Sequence, residues 1–213
     1  MRITVFGAAG KVGRRVVDEA LLRGHEVTAV IRNPAYMDDL PATAIARVGD
    51  AANTEDVITI SRDQDVVINA TRSTTSDEQE VTHTTRALMD GLARTGARLL
   101  VIGGAASLTV PGTGGRNVID DPRFLHPAAR PVGQASLTQF HACLAETRVD
   151  WAYLSPPARL IDGERTGHYR LGRDELLLDK DGDSRISIED LAVVLLDEAE
   201  NPRHHRMRFT AAY

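Results

Sequence analysis

The stretch VFGAAGKVGRRVV, residues 5–17, decides how the rest of the chain is read. A short β-rich run, ITVF, ends at Gly7, and Gly10 and Gly13 follow at the opening of a segment with helical spacing. In this G-x-x-G-x-x-G string the first glycine allows a tight strand-to-helix turn. The second lets the backbone approach a pyrophosphate, and the third lets helix and strand pack closely. The helix that begins here presents unpaired N–H groups and the positive end of its dipole to phosphate oxygens. Three glycines alone are a weak signal. Their position between a strand and a helix in an N-terminal β-α-β unit supplies the context the motif requires. The expected contacts are Gly7, Ala9, Gly10, Lys11, Val12 and Gly13.

Beyond this stretch, apolar runs alternate with helical patterns. HEVTAVIR is a second strand and ATAIARVGD a third; NTEDVITIS is a short helix capped by Asn53 or Thr54. DVVINAT reads as a strand buried on both faces, DEQEVTHTTRALMDGLARTG as a long helix and ARLLVIGG as a fifth strand. From 104 to 131 the periodicity is lost in Gly, Pro, Asp and Arg, the pattern of a substrate-side loop. A helix (GQASLTQFHACLAETR), a strand (DWAYLSPP), a hairpin, a helix (SIEDLAVVLLDEAEN) and a last strand follow. The expectation is one α/β domain over 1–213, a Rossmann-like doubly wound, mostly parallel sheet with helices on both faces. A small hairpin and helix region would occupy 156–213.

The end of the second strand sets cofactor preference. A site for NAD places an acidic residue there for the ribose hydroxyls. Here the residues are Ile31, Arg32 and Asn33, and Arg32 can pair with a 2′-phosphate through its planar fork, with Lys11 and Arg14 adding charge. NADP(H) is therefore the expected cofactor. Gly49, Asp50 and Ala51 should meet the adenine. Asn69, Ala70 and Thr71 should pass under the ribose and pyrophosphate. Gly103, Gly104 and Pro156 should stand by the nicotinamide. All follow strand carboxyl ends, where open α/β sheets bind ligands.

Composition narrows the partners. A formal charge of −5 with no evident basic face argues against nucleic acid. No apolar run reaches bilayer length and no signal peptide is read, so a cytoplasmic protein without membrane contact is expected, as monomer or homodimer. Cys143 is the only cysteine and falls in an apolar helical frame, the place of a core residue. Of 25 basic residues only Lys11 and Lys180 are lysines.

GAAGKVGRRV, VIRNP, DWAYLSPP and GDSRISIEDLAVVLLDE together resemble the atypical short-chain dehydrogenase/reductase group. The resemblance is closest to its NAD(P)H-binding, NmrA-like and NADH-flavin reductase branch. It implies a Rossmann-like fold and NAD(P)H binding, with reductase chemistry or, as in some members, cofactor sensing without turnover. The chain departs from the group in its catalytic residues. Typical members use a serine, and a tyrosine with a lysine four residues on. Ser107 could take the serine's place, but none of Tyr36, Tyr153, Tyr169 and Tyr213 has lysine at that spacing. Reducing a ketone calls for a placed proton donor, whereas a reduced flavin or quinone delocalises charge and can take its proton from water. A small-molecule acceptor of flavin or quinone type is the expected partner, and a non-catalytic NADP(H) sensor the alternative.

One segment competes for attention. DKDGDSRISIED, residues 179–190, puts Asp179, Asp181 and Asp183 at calcium-loop positions 1, 3 and 5, but Ser184 stands at the glycine position and Asp190 at the position of the bidentate Glu. The reading preferred is a corner: a turn at 181–183, then Ser187 capping the last long helix in a capping-box-like pair with Asp190.

Overall fold

The computed structural model describes residues 1–72 and 77–213. Five strands in the first half alternate with helices: β1 (Arg2–Phe6), α1 (Lys11–Leu22), β2 (Glu26–Ile31), β3 (Ile45–Val48), α2 (Thr54–Ser61), β4 (Val66–Asn69), α3 (Glu78–Thr95) and β5 (Arg98–Ile102). The second half adds α4 (Arg130–Leu144), β6 (Trp151–Ser155), β7 (Arg159–Ile161), β8 (Arg170–Gly172), β9 (Arg185–Ser187), α5 (Ile188–Glu200) and β10 (Met207–Ala212). Eight strands form one sheet in the order β3-β2-β1-β4-β5-β6-β10-β8, parallel except for β8 at one edge. This is the doubly wound Rossmann-like α/β architecture, and its strand order reverses between β1 and β4.

The elements follow from local chemistry. Asn53 caps α2 by accepting from the N–H groups of Glu55 and Asp56, and Asp77 caps α3 through Gln79 N–H. Gly96 ends α3 in the left-handed conformation that glycine adopts without strain (φ 79°). β4 and β6 are buried along their whole length, because helices cover both faces of the sheet. On one face Val16, Val17 and Ala20 of α1 and Leu191 and Leu195 of α5 pack against Ile3, Val5 and Ile68. On the other, Val57, Leu88, Leu92 and Phe140 from α2, α3 and α4 pack against Val67, Leu99 and Trp151.

The region 156–213 departs from the sequence reading. No hairpin joins its short strands: β9 pairs in parallel with β7, and β8 pairs antiparallel with β10. The corner itself forms as expected. Asp179 accepts from the N–H groups of Asp181 and Asp183, so the first aspartate of the calcium-like frame serves the turn. Ser187 Oγ accepts from Asp190 N–H and caps α5. Asp190 does not return the bond to Ser187, whose N–H goes to the Tyr213 hydroxyl. Instead its fully buried carboxylate accepts from Thr166 N–H and Oγ, Gly167 N–H and Tyr213 Oη. Burial alone would raise this carboxyl, but those donors hold it below its ordinary value. Turn chemistry is local and legible; the partner of each strand is decided by tertiary packing.

The closest backbone approach lies under the glycine turn. A Cβ on Gly13 would lie 2.1 Å from the Gly7 carbonyl oxygen, with no flexible side chain able to yield. Gly13→Ala should therefore destabilise the fold by about 1–3 kcal/mol, read as a lowered urea midpoint with an unchanged slope. A midpoint equal to that of the parent would contradict this packing.

Candidate active site

Three chain segments converge where β1 ends. Gly7 adopts a left-handed φ of 82°, and a Cβ there would lie 2.7 Å from the Ala70 carbonyl oxygen. Ala70 is held close because Asn69, itself buried, accepts from Thr71 N–H at 3.0 Å and from the Thr71 hydroxyl at 2.6 Å. β2 takes the N–H groups of Gly7 and Ala8 on Val30 O, and Gly10 N–H returns to Gly7 O. Helix α1 then starts at Lys11 with no side-chain cap on Gly10. Among the described residues, the N–H groups of Lys11, Val12 and Gly13 meet no acceptor. Only the Gly7 carbonyl oxygen lies near a Cβ built on Gly10, at 3.2 Å. An uncapped helix start beside open space at a glycine fits a dinucleotide's phosphates.

On the β2–β3 side of this turn, Arg32 extends into solvent, its side chain 65% exposed and 3.9 Å from the Glu80 carboxylate. Asn33 caps the following short helix through Ala35 N–H, and Asp50 turns back to accept from Ala52 N–H. Gly49 is packed against Ile60, and Ala51 is buried. Lys11 pairs with Asp162 at 2.7 Å, and Arg14 donates to the Asp39 carbonyl. Of the three cations expected near a 2′-phosphate, Arg32 is the one that, among the described residues, neither a close ion pair nor a carbonyl engages.

On the other side, over the ends of β4, β5 and β6, a cleft of about 440 Å³ opens. Of the expected site residues, Val12, Ala70, Thr71, Gly103, Gly104 and Pro156 line it. Its far wall comes from residues that sequence reasoning did not single out: Phe124 and Leu125 from the 104–131 segment, and Ser136 and Gln139 from α4. The three-residue spacing of Gly133, Ser136 and Gln139 on one helical face was the available signal. Among the described residues, Arg72 is the only ionisable one in the lining.

Other candidates stand elsewhere. Ser107 is not a lining residue; its Oγ accepts from Arg208 at 2.6 Å, in a group that also pairs Arg208 with Asp174 at 2.7 Å. His126 is exposed and caps its own turn through Ala128 N–H. Cys143 is buried in the core, where loss of solvent pushes its thiol up to about 12. Tyr153 lies beneath Gly103, whose Cβ would come within 1.9 Å of the tyrosine ring. The Tyr153 hydroxyl donates to Ser136 O at 3.0 Å and accepts Gly104 N–H at 3.3 Å. Burial drives its pKa far above the ordinary value, which keeps the hydroxyl neutral.

The 104–131 segment is a folded wall. Leu108, Val110 and Val118 form a satellite core with Leu176, and Phe124 and Leu125 pack on it. Thr109 bridges to both Asn117 and Glu175. Buried Asp121 ties the wall together by accepting two bonds from the Arg123 guanidinium, at 2.9 and 2.6 Å. Helix α4 begins at Arg130, earlier than its apolar pattern suggests, because Pro131 suits a first turn where no N–H partner is needed.

A cleft beside the strand-order reversal, with a glycine turn at its edge, is where doubly wound proteins hold a dinucleotide. Residues 7–202 match the family described as NAD(P)H-binding, and the chain belongs to that family. Its cofactor is thus a nicotinamide dinucleotide. The uncharacterized protein YwnB of Bacillus subtilis strain 168 is 35% identical over 217 residues, spanning 99% of this chain and 97% of its own. A candidate epimerase from Bacteroides thetaiotaomicron shares 34% identity at a TM-score of 0.89, covering 100% of this chain and 96% of the other. A candidate NADH-flavin reductase from Streptococcus pneumoniae TIGR4 shares 29% at a TM-score of 0.84, covering 100% and 99%. Among the described residues, no helix is long and apolar enough to cross a membrane.

The Asp121 bond gives the wall a pH dependence. Arg123 holds the Asp121 carboxyl at about 2, below its ordinary 3.8. A depressed carboxyl contributes stability that is complete above its unfolded pKa and is lost as pH falls from 3.8 towards 2. Asp121→Asn at neutral pH should reproduce that loss, speeding amide hydrogen exchange at residues 116–125 while leaving β1 and β4 protected. Unchanged exchange in that segment would show that the wall does not depend on this pair.

Proposed function

We propose that the protein is an NADPH-dependent reductase that passes hydride to a planar acceptor of flavin or quinone type. The observation that carries this reading is the chemistry of the cleft: a largely apolar lining whose only ionisable side chain, among the described residues, is Arg72. Residues 73–76, which continue from Arg72, are serine and threonine, so they add no titrating group. Reduction of a ketone to an alcohol needs a proton delivered to oxygen as hydride arrives, and a positioned donor is worth about 10²–10⁴ in rate. A flavin or quinone ring spreads the added charge and can be protonated from solvent. What such a reaction asks of the protein is that two flat rings be held face to face and water be kept out.

The chain's residues suit that task. The free N–H groups of Lys11, Val12 and Gly13 would hold the phosphates, and Arg32 a 2′-phosphate. Ala70, Thr71, Gly103, Gly104 and Pro156 would form the floor under the ribose and nicotinamide. When bound, the nicotinamide supplies the hydride. The S. pneumoniae relative, a candidate NADH-flavin reductase, agrees with this chemistry. Epimerase chemistry, suggested by the B. thetaiotaomicron relative, is less well served, since no tyrosine–lysine pair is present in the sequence. The same lack of a proton donor also suits a sensor that binds NADP(H) without turnover, and the test separates the two.

The test is nicotinamide oxidation by the pure protein, with NADPH and NADH in parallel, against flavins, quinones and ketones. Turnover is expected with flavin or quinone and not with ketones, with a lower KM for NADPH. Arg32→Ala should raise the NADPH KM by about tenfold, the worth of one exposed charge-assisted contact, and leave that of NADH unchanged. Efficient ketone reduction would refute the proposal. NADPH binding with no turnover on any acceptor would favour the sensor.

A further inference from the structure

One polar side chain on the cleft wall has half of its hydrogen-bonding capacity unused. Gln139 is only 9% exposed and lines the cleft. Its Oε1 faces inward, 3.3 Å from the Tyr153 hydroxyl, which shares its proton between this oxygen and the Ser136 carbonyl. Its Nε2 meets no acceptor among the described residues. Nor is that nitrogen sealed in the protein: the enclosed side-chain atoms without a partner are Ser61 Oγ, Thr95 Oγ1, Ser155 Oγ and Thr210 Oγ1. Nε2 is therefore open to the cleft. Fixed at one end and unpaired at the other, the amide presents a free donor that a ligand in the cleft can take up.

We infer that Gln139 is the polar anchor of the acceptor subsite, donating from Nε2 to a ring carbonyl oxygen of a flat acceptor. The assignment rests on the reductase reading and narrows it to acceptors bearing a carbonyl on the ring. Three features select this chemistry. The donor is neutral, so it recognises a carbonyl without asking for a charged ligand. Phe124, Leu125 and Pro157 give the same cleft apolar surfaces against which a ring can lie. A cleft of about 440 Å³, within the range of small-ligand sites, would be shared by the nicotinamide and a flat ring lying on it. Gln139 is also well placed to be rigid, since it stands on α4 and the Tyr153 hydroxyl fixes its inner end. Among the described residues none uses the outer end, as a purely structural glutamine would require.

The experiment measures binding, so that it does not depend on turnover. Protein saturated with NADP⁺ is titrated with three probes: menadione, lumichrome (three fused rings with carbonyls) and anthracene (three fused rings without any hydrogen-bond acceptor). Unaltered protein should bind lumichrome about tenfold more tightly than anthracene, the worth of one hydrogen bond left unmade in an apolar site. Gln139→Met keeps the unbranched shape and removes the amide. It should weaken menadione and lumichrome about tenfold and leave anthracene and NADP⁺ affinities as they were. Equal affinity of unaltered protein for lumichrome and anthracene overturns the assignment, and this comparison needs no variant to fold. Equal weakening of all three probes by the variant also overturns it, because that would be a loss of shape. Carbonyl-selective binding without hydride transfer would uphold Gln139 and sink the reductase reading. Turnover that is indifferent to Gln139→Met would do the reverse.

Discussion

The contact between Gly13 and the Gly7 carbonyl governs the layout of the molecule. A helix can start this close to the end of a strand only where no Cβ intervenes, and here even one would come within 2.1 Å of backbone oxygen. Because α1 is drawn in so far, its uncapped N–H groups sit at the carboxyl edge of the sheet. The left-handed Gly7 lets the turn after β4 approach in the same way, and Asn69 ties that turn into shape. The cleft over β4, β5 and β6 opens from this junction, and loosening any of the three backbones would shift its floor.

Charge is arranged away from that floor. Glu19 is buried and gathers Arg23 at 2.7 Å and Arg165 at 2.6 Å, clamping the segment after β7 onto α1. Those guanidiniums, Arg165 foremost, hold its carboxyl below the ordinary value despite burial. Arg98 joins Glu198 at 2.7 Å, and Glu198 also meets His204 at 2.8 Å, fastening α5 to the start of β10. The arginines of this lysine-poor chain thus act largely as planar clamps between elements. The result is a charged periphery around a site with few ionisable groups. Such a site favours chemistry driven by proximity over chemistry driven by proton transfer.

Much of this was legible in advance. The β-α alternation, the glycine turn, the caps at Asn53 and Ser187 and the burial of Cys143 are written in nearest-neighbour chemistry, where a residue acts on backbone a few positions away. The pairing of β7 with β9 and of β8 with β10 was not legible, because short strands carry little information about distant partners. The same limit applied to Ser107. Its place after β5 was readable, but the Arg208 that engages it lies 101 positions along the chain. Gln139 was passed over because its spacing from Gly133 and Ser136 marks a shared helical face but not what that face meets.

The succession of strands and helices, the dinucleotide turn and the absence of a tyrosine–lysine pair follow from amino-acid order alone. Each depends on residue identity and short spacing. Packing across the sheet is what folds 104–131 into a wall, shuts Tyr153 away beneath Gly103 and turns Gln139 of α4 towards the cleft. These depend on which surfaces meet across the sheet, and no local pattern specifies that meeting.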